Sequence, residues 1–62
     1  MDEADSVALE HAVGSYRRGR IPRSEFVKRV MRAAGSYDVV TRSMVYAEIE
    51  QRLGDTFEWW RN

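Results

Sequence analysis

Leu9, Ala12, Val13 and Tyr16 stand at i, i+3, i+4 and i+7, the spacing of one helical face, and Val7 and Ala4 read as extensions of that stripe. The pattern predicts a first helix from about Glu3 or Ser6 to Arg18. Asp2, Glu3 and Asp5 suit the positive end of its dipole, and Arg17 and Arg18 the negative end. Phe26, Val27, Val30, Met31 and Ala34 repeat the period farther on, with Glu25, Lys28, Arg29 and Arg32 on the other side, so a second helix runs from Pro22 or Arg23 to Ala34. A third is clear from Thr41 or Ser43, where Val45, Ile49 and Leu53 recur at i+4 with Tyr46 beside them and Glu48, Glu50, Gln51 and Arg52 on the solvated side. Val39 and Val40 are ambiguous between loop and helix, because β-branched side chains lose rotamer freedom in a helix.

The breaks carry their own chemistry. Gly19 is placed to take the left-handed conformation that ends a helix, and Gly35 is expected to end the second helix in the same way. Pro22 pushes Ile21 into an extended conformation and carries a φ suited to a helix start. Ile21 and Phe26 then have the spacing of a hydrophobic staple. Asp38 can cap the third helix, and Gly54 stops it. Beyond it, Asp55 and Glu58 have capping-box spacing, which predicts a short fourth helical turn. The fold class expected is all-α: a small bundle of three helices plus a short C-terminal helical turn, in one domain over residues 1–62.

A 62-residue chain buries only about 60% of the surface it exposes when unfolded, so self-association or a partner is expected to help stabilise it. Cysteine is absent, which removes disulfides and thiolate zinc sites and fits a reducing compartment. The acidic start, Met1-Asp2-Glu3-Ala4-Asp5, is unlike a signal peptide, and no apolar run reaches the roughly 20 residues of a membrane span. A cytoplasmic location with no membrane attachment is the expectation. Formal net charge is zero but unevenly spread: residues 1–15 carry Asp2, Glu3, Asp5 and Glu10 without a Lys or Arg, whereas Arg17, Arg18, Arg20, Arg23, Lys28, Arg29 and Arg32 crowd the middle. That asymmetry reads first as internal complementarity between neighbouring helices and second as an anion-binding face.

No glycine-rich phosphate loop, nucleophile elbow, paired histidine or cysteine nucleophile is present, and His11 lies alone off the buried stripe. No catalytic residue, metal ligand or cofactor is assigned. Gly19-Arg20-Ile21, followed after three residues by Glu25-Phe26 and then Val30, resembles the G-x-[I/L]-x-x-x-E-F pattern between the helices of SHOCT-like short bacterial domains, over residues 7–34. That resemblance implies a helical hairpin used for association or attachment. Thr41-Arg42-Ser43-Met44-Val45-Tyr46 resembles the start of a recognition helix in helix-turn-helix proteins. It implies base or phosphate contacts from Arg42 and Ser43, with Arg29 and Arg32 on the DNA backbone.

The first functional expectation is a non-catalytic protein-binding module: an adaptor, inhibitor or oligomerisation unit. Compact cysteine-free helical proteins of this kind are common among bacterial and bacteriophage accessory factors. Phe57, Trp59 and Trp60 are costly to leave in water, so they either close the core or form a partner or homodimer interface. Arg17, Arg18 and Arg20 are the expected charged contacts to a protein partner. The alternative is a nucleic-acid-binding protein using Arg29, Arg32, Arg42 and Ser43; against it stand Glu48 and Glu50 on the candidate helix and the zero net charge.

Overall fold

A computed structural model describes the backbone of residues 3–59 and the side chains of residues 5–59. Among these residues all regular structure is helical: α1 is Glu3–Arg17, α2 is Arg23–Ala34 and α3 is Val39–Leu53. Ala4 of the predicted stripe, the Asp2 and Glu3 carboxylates and Trp60 lie outside the described side chains.

The first turn follows from its residues. Gly19 takes φ 72°, the Arg20 N–H donates to the Ser15 carbonyl at 2.9 Å, and the Gly19 N–H donates to that of Tyr16 at 3.0 Å. This paired pattern is the Schellman ending that a left-handed glycine permits. Pro22 then sits extended at ψ 165° as the N-cap of α2, and its carbonyl accepts the Phe26 N–H at 3.0 Å. Ile21 packs against the core cluster in which Phe26 is fully buried, as the staple requires. α1 and α2 form a hairpin that buries Ala12 and Val13 against Phe26, Val27 and Val30. Val7 departs from expectation and is exposed. At 100° per residue it sits roughly 170° around the helix from the centre of the Leu9, Ala12, Val13 and Tyr16 stripe.

The second turn differs from the first. Gly35 is right-handed, with φ −64° and ψ −23°, in place of the expected left-handed cap. The chain instead tightens: the Gly35 N–H donates to the Arg32 carbonyl at 3.3 Å and the Tyr37 N–H to that of Ala34 at 3.1 Å, which needs no left-handed residue. The Asp38 carboxylate accepts the Thr41 N–H at 3.3 Å, and the Asp38 carbonyl accepts that of Arg42 at 2.9 Å. α3 therefore begins at Val39, ahead of the predicted Thr41 or Ser43. The cap outweighs the few tenths of a kcal/mol that each valine costs.

Gly54, at φ 68°, ends α3 and turns the chain back. Residues 55–58 are irregular, so no helical turn starts at Asp55, and the rest of the expected turn, residues 60–62, lies outside the described residues. The Asp55 carboxylate accepts the Thr56 N–H at 2.8 Å and an Arg23 N–H at 2.6 Å. Arg23 also donates to the Thr56 carbonyl and lies 4.4 Å from the Phe57 ring centre, a cation–π contact. The Phe57 N–H is held by the Glu50 carboxylate at 2.9 Å. So anchored, the tail delivers Phe57 and Trp59 into the core. Phe57 lies 5.2 Å from Phe26, Trp59 stacks on Tyr46 at 4.5 Å, and Tyr16 stacks on Phe26 at 4.5 Å. One end of the bundle is thus filled by five aromatic rings.

Candidate functional site: the outward face of the third helix

α3 carries an apolar stripe on its inward face and a second on its outward face that is apolar over Val40, Met44 and Ala47 and ends at the polar Gln51. Val45, Tyr46, Ile49 and Leu53 face the core, with Ile49 buried and the other three half-buried. Val40, Met44, Ala47 and Gln51 lie roughly 180° away at 100° per residue, and all four are exposed. Val40 is 66% and Met44 67% exposed, and Val39 in the first turn is 71% exposed. No charged side chain interrupts that outward line, while Thr41 and Glu48 flank it on one edge and Ser43 and Glu50 on the other.

The residues singled out from sequence separate into groups. Phe57 and Trp59 point inward at 3% and 6% exposure and close the core; Trp60 is outside the described residues. Arg17 and Arg18, at the end of α1, and Arg20, in the turn, are exposed and make no ion pair among the described residues; the same holds for Lys28 and Arg32 on α2. Arg29 pairs with Glu25 at 3.2 Å within α2. Arg42 is half-buried and donates to the Tyr37 carbonyl at 3.1 Å, so its guanidinium bridges the turn. Ser43 is exposed on the edge of the outward stripe. The structure does not gather Arg29, Arg32, Arg42 and Ser43 into one free basic surface.

Among the described residues, charge complementarity joins separate elements: Arg23 of the basic middle pairs with Asp55 of the C-terminal flank at 2.6 Å, while the acidic start meets α3 and the second turn. Glu10 pairs with Arg52 of α3 at 3.0 Å, and the Asp5 carboxylate accepts the Ser36 hydroxyl at 2.6 Å. The Arg52 guanidinium holds the Glu10 carboxyl below the usual carboxylate range. Arg23 and the Thr56 N–H do the same for Asp55, and Thr41 for Asp38. Burial pushes the Tyr46 phenol up. Between α1 and α3 lies a cleft of about 230 Å³, floored by Leu9, Val13, Val45 and Ile49 with Tyr37 at one side, and the Glu10–Arg52 pair on its wall. This is below the roughly 300 Å³ at which ligand pockets begin.

No group of three His, Cys, Asp or Glu that could hold a metal ion occurs among the described residues, and no helix there is long and apolar enough to cross a membrane. Among the described residues, the exposed Val40, Met44 and Ala47 supply contact surface. Sequence reading missed the outward stripe, although its signal was present: Val40, Met44, Ala47 and Gln51 repeat at 4, 3 and 4, the same period as the core stripe in the opposite phase. It also missed Arg23 and Glu50, whose roles depend on where the tail folds. Neither a protein-family model, nor a curated protein, nor a solved structure matches the chain.

Proposed function

We propose that this protein is a non-catalytic protein-binding module whose docking surface is the outward face of α3. The observation that carries the reading is the exposure of Val40 and Met44 on a helix that already buries its opposite face. The core has no need of those side chains. Adjacent apolar side chains on one ridge offer a partner helix a seat of the helix-on-helix kind. The resemblance of residues 7–34 to SHOCT-like hairpins points the same way, since such hairpins serve association. Arg17, Arg18 and Arg20 then provide charge at the far end of α1 for an acidic part of the partner.

Nucleic-acid binding is the second reading, favoured by the five exposed basic side chains without an acidic partner among the described residues, Arg17, Arg18, Arg20, Lys28 and Arg32. It ranks lower because the helix that would enter a groove presents Val40, Met44 and Glu48 outward and its Arg42 is tied to the turn.

Site-specific photocrosslinking separates the two. A photoreactive residue in place of Met44 is expected to trap protein from an extract of the source cells, and Val40→Glu in the same chain is expected to abolish the adduct. Adducts formed only from a probe at Lys28, or to nucleic acid with retention that falls steeply with salt, would overturn the proposal.

A further inference from the structure

We infer that the outward face of α3 is built to pair with the α3 of a second copy, antiparallel, across a two-fold axis at the level of Val45 and Tyr46. This rests on the docking reading above and names its occupant. The first observation is spacing. Val40, Met44, Ala47 and Gln51 follow the 4-3-4 interval of a coiled-coil seam, and all four are exposed. Along the helix they span about 17 Å at 1.5 Å per residue, enough for three turns of contact.

The second observation is that this seam fits itself in one orientation. Antiparallel pairing about that axis sets Met44 against Ala47 of the other copy and Val40 against Gln51, so a large side chain meets a small one at the centre. Parallel pairing would stack Met44 on Met44 and leave Ala47 facing Ala47, crowded at one level and hollow at the next. The edges agree. Thr41 and Ser43 lie in the first two turns and Glu48 and Glu50 in the third, so reversal places hydroxyl donors opposite carboxylates on both edges. Parallel pairing would gather four carboxylates at one end, and antiparallel pairing also sets the helix dipoles head to tail. The two-fold makes the contact isologous and closed, which gives a dimer and no fibre.

The third observation is size. Among the described residues the buried cluster is small, Ala12, Val13, Phe26, Val27, Val30, Ile49, Phe57 and Trp59, and association is one of the usual ways so small a core gains stability. A single helix pair falls near or below the ~1,000 Å² typical of lasting complexes, so the dimer forms reversibly, with Kd on the order of 10–100 μM.

The chain has no cysteine, so engineered ones report the register cleanly. The full chain is made as two single variants, Val40→Cys and Gln51→Cys, mixed in equal amounts, oxidised mildly and analysed by mass. The expected result is severalfold more mixed disulfide than either homodimer. Val40→Cys homodimer in excess would overturn the antiparallel arrangement. Sedimentation of the unmodified chain from about 10 μM to 1 mM is expected to show monomer passing to dimer, with Met44→Glu folded and monomeric throughout. A monomer at every concentration would overturn self-pairing. In that case a Val40-dependent crosslink from position 44 to another protein would leave the docking surface standing, so the two failures are told apart.

Discussion

The inward and outward faces of α3 both carry apolar residues at helical spacing and meet different fates. Val45, Tyr46, Ile49 and Leu53 are covered by the α1–α2 hairpin and the folded tail, whereas Val40, Met44 and Ala47 are left open. The difference lies in the supply of covering surface. The α1–α2 hairpin and residues 55–59 blanket one side of the third helix, and those residues are recruited to the core side by Arg23 and Glu50. The second stripe is then surplus to folding, and its side chains are free to meet another molecule.

Substitutions test that contrast by size of effect. Phe26 touches Tyr16, Phe57 and Trp59, so Phe26→Ala should cost about 3–5 kcal/mol, comparable to the whole stability of a domain this small. Circular dichroism should show an unfolded or barely folded chain. Ile49→Ala, on the inward face, should cost about 2–4 kcal/mol by denaturant titration. Equal tolerance at Ile49 and Met44 would break the contrast outright.

Acid should probe the polar links that hold the inward face in place. Glu10, Asp38 and Asp55 are all held below the usual carboxylate range. A carboxyl that is lower in the folded chain than in the unfolded one adds stability above its unfolded value and loses it as pH falls through the folded value. Thermal stability should therefore be level from about pH 6 to 7 and decline below about pH 4. The loss should be modest, since these links are exposed. The smallest effect belongs to the outward face: Met44→Ser, measured at dilute monomer, should shift stability by no more than about 0.5 kcal/mol.

Much of the fold was legible before the structure, and what was missed shares a cause. Gly19, Pro22, Asp38 and Gly54 act through their own backbone or nearest neighbours, so their roles follow from residue type. The core face of α2 also follows, because one continuous stripe leaves one choice. Asp55 and Glu58 looked like a capping box, yet Arg23, thirty-two positions away, takes the Asp55 carboxylate. Glu10 likewise finds Arg52 and not the nearer basic segment. Such pairings are decided by packing, which local spacing does not encode. The candidate surface was hidden for a related reason: α3 has two stripes of like period, and periodicity alone does not say which one the core will use.

The most direct measurement follows Met44 and Ile49 together as methyl reporters by NMR while the chain is concentrated from about 10 μM to 1 mM. Each sits on one face of the same helix, so the pair is its own control. The account predicts that the Met44 and Val40 methyl signals move progressively with concentration while Ile49 stays fixed. Movement of Ile49 with a still Met44, or concentration-dependent shifts confined to Arg17, Arg18 and Arg20, would contradict it.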